Sequence, residues 1–294
     1  MASRLDVITA VTTPFTESGE LDLPAARRLY GLLAATTGNL FVAGTTGEFP
    51  ALDDQERIAL FEAALEAAGP DHVIAHIGAP DARHARRLAA AAVAAGARRL
   101  AAITPYYLPA TDREITAYYR EVAKATAGTQ LYAYLYPERT GVTVTPQQLA
   151  SLAAECGLAG AKLSGGAGAN LGEYTAVVPE GFRLYSGRDK EMPLAAEAGI
   201  AGVVSGLSSA FPELYVRLAD ALAAGQADEA AGAQAAVERI FAAGRTTAHL
   251  KYVLSLRGVT GRTGRMTIGT VDDESAAAVA ALAAELTPAR TSAP

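Results

Sequence analysis

Four lysines occur among the 294 residues, and three of them, Lys124, Lys190 and Lys251, fall at or within stretches of helical periodicity, where a solvated ammonium is the ordinary outcome. Lys162 stands apart, in the short apolar run Leu158–Leu163. A lysine at the mouth of a packed sheet loses solvation, which favours its neutral amine, and a neutral amine attacks carbonyl carbon to form an imine. The other reading is a strand-end lysine paired with an acid. Gly44-Thr45-Thr46-Gly47-Glu48 offers a second chemistry: backbone amides and hydroxyl donors suited to a carboxylate, in a composition that a tight strand-to-helix turn without a ligand would share. Tyr134, Tyr106 and Tyr107 either relay protons or pack with a wetted hydroxyl. Arg139, between Pro137 and Gly141, either clamps a carboxylate through paired donors or forms a surface salt bridge.

Other groupings carry less. His72 and His76 are four apart but lie in a strand-like run with Val73, Ile74 and Ile77, with no acids or cysteines clustered about them, so no metal site is expected. Gly166 and Gly168 imitate a dinucleotide loop, yet Gly172 falls too late for its third glycine, and there is no phosphate-binding P-loop. Ser205, Ser208 and Ser209 have no adjacent histidine to activate them.

These residues sit at the ends of recurring apolar runs: Val7–Val11, Leu40–Ala43, Val73–Ile77, Arg99–Ile103, Leu131–Leu135, Gly160–Leu163, Arg183–Tyr185 and Gly202–Ser205. Amphipathic stretches alternate with them at Leu23–Ala35, Asp53–Ala68, Asp81–Ala95, Glu114–Ala127 and Pro146–Cys156. Asp22 before Leu-Pro, Asp53 with Glu56, and Thr145 before Pro146 are helix-start signals. Eight strands alternating with helices predict a parallel sheet of α/β class, closed as a (β/α)8 TIM barrel over residues 1–212, with an open doubly wound sheet as the competing architecture. From about residue 213 only helical periodicity remains, which predicts a C-terminal helical extension over 213–294 packed on the barrel, its last residues, 287–294, frayed. In a barrel, chemistry belongs at the C-terminal ends of the strands, where Lys162, Tyr134 and the threonine turn all fall.

Composition narrows the classes further. With 31 acidic against 25 basic side chains the net charge is -6, so no nucleic-acid partner is expected. Half the residues are hydrophobic, enough for a sizeable core. The lone Cys156 has no internal disulfide partner, and Met1–Thr16 lacks the pattern of a secretion signal. The longest uncharged stretch, Tyr30–Gly47, is too polar to span a bilayer. A soluble, cytoplasmic protein without a membrane role is the expectation.

Taken together, the motifs resemble the dihydrodipicolinate synthase/N-acetylneuraminate lyase family over about Val7 to Gly264, closest to its synthase branch. The elements that carry the resemblance stand in family order and spacing. They are Thr12-Thr13-Pro14-Phe15 with Gly19 and Asp22, Gly44 through Glu48 with Leu52 and Glu56-Arg57, and Thr104-Pro105-Tyr106-Tyr107. Tyr134 with Pro137 and Gly141, Lys162, Ser186-Gly187-Arg188-Asp189 and Gly202-Val203-Val204-Ser205 complete the set. The resemblance implies a (β/α)8 barrel with a helical extension, a homotetramer built as a dimer of dimers, and a class I lyase that binds pyruvate through a lysine Schiff base with no metal or nucleotide cofactor. It implies Lys162 as that lysine, Tyr134 as acid/base, and Thr45 and Thr46 on the pyruvate carboxylate with Thr46 also in a proton relay. Gly47, Gly187 and Val204 would line the substrate site. Tyr107 matches a tyrosine that crosses a dimer interface to complete a neighbour's relay, and Arg139 an arginine for the carboxylate of aspartate semialdehyde.

The sequence departs from the synthase pattern at Leu135 after Tyr134, Leu108 after the tyrosine pair and Leu163 after Lys162; Phe49-Pro50 is closer to sugar-acid aldolases and dehydratases. Because Arg139, Thr46 and Tyr107 occur together, the expected reaction is nonetheless condensation of pyruvate with aspartate semialdehyde. Cleavage or formation of a 2-keto-3-deoxy sugar acid or another pyruvate adduct is the alternative, and a non-catalytic keto-acid-binding paralogue is the alternative of another class.

Overall fold

A computed structural model describes residues 4–287, so the expected fraying falls, beyond Thr287, outside the described residues. Eight short strands form: β1 Asp6–Ala10, β2 Asn39–Val42, β3 Val73–His76, β4 Arg99–Ile103, β5 Gln130–Leu135, β6 Gly160–Leu163, β7 Arg183–Ser186 and β8 Gly202–Ser205. All neighbours pair in parallel, and β8 returns to β1 with Ile8 opposite Val204, which closes the barrel and excludes the open sheet. The strands are buried on both sides, by the barrel interior and by the helices, which is why they read as continuous apolar runs rather than alternating ones.

The outer helices begin where capping chemistry allows. Asp22, Asp53, Asp81, Thr111 and Thr145 each accept a backbone amide from the first turn of the helices Leu23–Ala34, Asp54–Ala68, Ala82–Ala94, Asp112–Ala125 and Pro146–Cys156. Asp53 with Glu56, Thr111 with Glu114 and Thr145 with Gln148 close reciprocal capping boxes. Each cap stabilises its helix by about 1 kcal/mol. Because Thr111 is a cap, the fourth helix starts at Asp112, ahead of the Glu114 that its apolar pattern suggested. After β6 and β7 the outer layer thins to the short helices Gly166–Ala169, Leu171–Thr175 and Met192–Glu197.

Beyond β8 come the helices Pro212–Ala224, Ala227–Ala243, Thr247–Leu256 and Asp273–Leu286. The first of these packs on β1 as well as on the helix that follows it, so it belongs to the outer ring as much as to the extension. Lys251 corrects the expectation of a solvated ammonium: it is only 1% exposed, and it donates to Glu48 Oε1 at 2.5 Å and to the Thr263 carbonyl at 2.6 Å. The extension is thereby tied to the turn that follows β2. No helix among the described residues is long and apolar enough to cross a membrane.

Candidate active site

Tyr134 on β5 and Lys162 on β6 are register partners, so their side chains leave the sheet on the same side, into the barrel. Lys162 Nζ lies 4.3 Å from the centre of the Tyr134 ring and 4.9 Å from that of Phe41. Among the described residues it has neither an ion pair nor a hydrogen bond. The reading of a lysine paired with an acid therefore does not hold. Burial pushes its ammonium down to about 8, against the pull of Asp189 and Tyr136 in the opposite direction. A larger share of Lys162 is thus the nucleophilic free amine near neutrality than for an ordinary lysine. The rate of imine formation with a keto acid is expected to rise with pH to a plateau with a midpoint near 8; stopped-flow or quench trapping between pH 6 and 10 measures it. A midpoint near the ordinary lysine value would show that the amine is solvated when it reacts.

Burial raises the Tyr134 phenol above its ordinary range, while hydrogen bonds to Thr45 and Ser164 and the charge of Arg139 oppose this. The phenol therefore stays protonated at neutral pH and stands as a proton donor. Its hydroxyl lies 3.0 Å from Thr45 Oγ1.

The turn after β2 is held in an unusual shape. Ala43 (φ 53°) and Glu48 (φ 57°) bracket it in left-handed conformations that cost a residue with a Cβ roughly 1–2 kcal/mol each. Gly47 is needed because a Cβ there would meet the Val11 carbonyl at 3.0 Å and Ala43 Cα at 3.2 Å. Thr13 Oγ1 donates to the Gly47 carbonyl at 2.6 Å. The neutral ring of His76, driven well below its ordinary pKa by burial and by Arg57, donates from Nδ1 to the Ala43 carbonyl at 2.8 Å. Within this frame the amides of Thr45, Thr46 and Gly47 meet no protein acceptor among the described residues, and neither does the Thr46 hydroxyl. Three free amides and two hydroxyls, one of them bonded to Tyr134, are a set of donors in which a carboxylate could be cradled.

Gly187 lies against Ser164, whose Oγ would be 2.1 Å from a Cβ built there, so only glycine fits at the end of β7. Val204 is buried in β8. Arg139 is exposed, in the short helix Pro137–Thr140, with its guanidinium 5.8 Å from the centre of the Tyr136 ring. Tyr107 is 91% exposed at φ 83° and makes no hydrogen bond to Tyr134 or Thr46 of its own chain among the described residues. Its neighbour Tyr106 packs edge-on against Phe49.

Asp189, quoted in a motif but given no role from the sequence, accepts from Ser205 Oγ at 2.8 Å and from the Leu207 amide at 3.1 Å. Desolvation raises its carboxyl, and its charge acts on Lys162. Ser164 and His76 are the other supporting groups without a sequence-stated role. Their only signal is position, Ser164 just past the end of β6 and His76 at the end of β3.

A closed barrel with a desolvated lysine in its mouth, a protonated phenol beside it and a donor-lined turn four strands away, across the barrel after β2, defines a class I, imine-forming lyase. The chain belongs to the Dihydrodipicolinate synthetase family, whose sequence model matches residues 3–286. It is 36% identical over 285 residues to 4-hydroxy-tetrahydrodipicolinate synthase 1 of Streptomyces coelicolor, covering 94% of this chain and 92% of that one. Among solved structures it resembles KD(P)GA from T. tenax, with 28% identity, a TM-score of 0.84 and coverage of 96% and 99%. It also resembles YagE, a prophage protein of the dihydrodipicolinic acid synthase family from E. coli K12 solved in complex with pyruvate, with 26% identity, a TM-score of 0.87 and coverage of 96% and 98%.

Proposed function

We propose that the protein is a 4-hydroxy-tetrahydrodipicolinate synthase: it condenses pyruvate with aspartate semialdehyde through an imine on Lys162, without a metal or nucleotide cofactor. The observation that carries this reading is the unpaired, buried Lys162 amine beside Tyr134, whose hydroxyl is hydrogen-bonded to the carboxylate cradle. The cradle amides and the Thr45 and Thr46 hydroxyls take the pyruvate carboxylate. Nζ of Lys162 attacks C2, the carbinolamine oxygen takes a proton from Tyr134 and leaves as water, and the imine remains. The Tyr134 phenolate takes a C3 proton to give an enamine, whose carbon attacks the aldehyde carbon as the phenol returns that proton to the aldehyde oxygen; the semialdehyde's own amine then attacks the imine carbon, closing the ring and freeing Nζ as the amine. The kinship with the Streptomyces synthase supports the choice of acceptor.

The departures from the synthase pattern bear less on the acceptor than their number suggests. Leu135 and Leu163 follow Tyr134 and Lys162 in their strands, so by the two-residue period they face the helices; both are fully buried there. Leu108 lies on the surface beside Tyr107, and Phe49 packs against His76 and Tyr106. Neither buried leucine reaches the barrel mouth. The likeness to KD(P)GA and the Phe49-Pro50 pair favour a second reading, an aldolase for 2-keto-3-deoxy sugar acids.

We place the active form in a cytoplasmic homotetramer in which Tyr107 completes the relay of a neighbouring protomer. What supports this is a bulky phenol that is 91% exposed on a left-handed backbone, a conformation that a free surface tyrosine does not need.

Arg139 separates the two readings. Its guanidinium stands near Tyr134, and a charge-assisted pair to a second carboxylate at that exposed position should change affinity by about tenfold. Arg139→Ala is thus expected to raise KM for aspartate semialdehyde about tenfold, and to leave KM for a neutral hydroxyaldehyde unchanged. Steady-state assays on both acceptors with saturating pyruvate make the comparison. A wild-type protein that cleaves a 2-keto-3-deoxy acid yet never condenses aspartate semialdehyde would establish the aldolase instead, and one that forms the imine without turning over any acceptor would establish a binding paralogue.

A further inference from the structure

The extension's buried ion pair stands outside the steps above, and it ends on the turn that forms the carboxylate cradle. Glu48 is 1% exposed, in a left-handed conformation, at the close of the Gly44–Glu48 turn. Every contact of its carboxylate comes from the extension: Oε1 accepts from Lys251 Nζ at 2.5 Å, and Oε2 accepts from the amides of Arg265 and Met266, each at 2.8 Å. Lys251 also donates to the Thr263 carbonyl, so one ammonium joins the turn, its own helix and the 263–266 loop. Arg265 then clamps the far side, donating to the Gly19 and Ala51 carbonyls and, through paired bonds of 2.7 Å, to Glu56.

Two charges taken fully out of water are a poor way to gain stability, since apolar side chains of like volume serve as well. What such a pair supplies is one fixed geometry for the groups it joins. Here those groups include the only strained residue at the exit of the turn, and the strain at its entry, Ala43, is held separately by His76 from inside the barrel. The two clamps leave the amides of Thr45, Thr46 and Gly47 between them.

We infer that Lys251 and the 263–266 loop are positioning groups for the keto-acid carboxylate: the helical extension sets the shape of the cradle through Glu48, and so sets pyruvate affinity from outside the barrel. This rests on the reading that the cradle takes that carboxylate. Released from Lys251, Glu48 would seek water, its strained backbone would relax, and the three amides would no longer converge. A misplacement of about 1 Å in such a constellation costs on the order of 10–100-fold.

The test is Lys251→Met, which keeps the volume of the stem, in the full-length protein. Borohydride trapping with pyruvate on Lys162, read by intact mass, gives the half-saturating pyruvate concentration, and thermal unfolding is followed separately. The expected result is a rise in half-saturation of about tenfold or more at a temperature where the variant is fully folded, with the same maximal labelling at saturation. Arg265→Met, which weakens the same loop and leaves unpaired only the part-exposed Glu56 rather than the fully buried Glu48, should give a smaller rise in the same direction, and it decides the matter alone if the first variant does not fold. A variant with a lowered melting temperature and unaltered half-saturation would reduce the latch to a staple and overturn the inference. Absence of labelling in the wild-type protein would instead overturn the imine reading.

Discussion

Lys162→Met is expected to abolish turnover, lowering kcat/KM by about 10⁴-fold or more, while the folded barrel persists. Removing a covalent nucleophile removes the reaction path and not merely one interaction along it, so the loss approaches the whole contribution of the catalytic unit. The fold should survive because Lys162 leaves no partner behind: its Nζ makes no ion pair or hydrogen bond among the described residues, and its neighbours are the Phe41 and Tyr134 rings. Methionine fills the stem's volume and removes a buried charge that desolvation already disfavours. The far-ultraviolet dichroism and the melting temperature should therefore stay at or above those of the wild type. In the wild-type protein, borohydride with pyruvate should place the reduced three-carbon adduct on Lys162, and the variant should take up none. An adduct on Lys124, Lys190 or Lys251, or persistent turnover in the variant, would sink the mechanism. Of those three, Lys251 is buried and already pairs with Glu48, whereas Lys124 pairs with Glu121 at the surface, so neither offers a free amine to a bound keto acid.

Most of what positions this lysine is visible in local sequence because it is local physics. Strands buried on both faces read as unbroken apolar runs, and the strand ends fall within a residue or so of where those runs end. Caps such as Asp53-Glu56 and Thr145 act within one helical turn, so their chemistry is contiguous in the chain. What stays hidden depends on partners far away. Lys251 lies on a helix that its periodicity describes well, and nothing near it in the chain announces Glu48, 203 residues distant. Asp189 looks like any loop acid until β8 brings Ser205 and the Leu207 amide to it. The weight of the leucine departures is misread for a different reason: a one-residue step along a strand reverses the face, so an unusual residue next to a catalytic one need not touch substrate. Tyr107 shows the limit from the other side, since neither its exposure nor its left-handed backbone is announced by the residues around it.

The second large effect is that of Tyr134→Phe, expected to lower kcat by about 10²–10⁴-fold with little change in pyruvate affinity. The ring is the greater part of what Tyr134 contributes to packing: it is buried, it lies edge-on to Phe41 and His76, and it lines the Lys162 amine. Phenylalanine keeps all of that and deletes one oxygen. The lost hydroxyl is the one 3.0 Å from Thr45 Oγ1, on the ring that also lies against the lysine's amine. Because burial holds the phenol above its ordinary pKa, it is a reservoir of one proton at neutral pH. Attack of the amine on C2 needs no proton from it, but loss of the carbinolamine oxygen as water does. The defect should therefore appear in the dehydration step: rapid-quench trapping would show slow accumulation of the reducible imine, while the pyruvate concentration that half-saturates the eventual labelling stays within about twofold. Thr45 keeps its place in the turn, so the cradle is not what changes. Weakened pyruvate saturation with an unaltered rate of imine formation would show instead that Tyr134 holds Thr45 in place and moves no proton, and the donor would then have to be sought at the Thr46 hydroxyl.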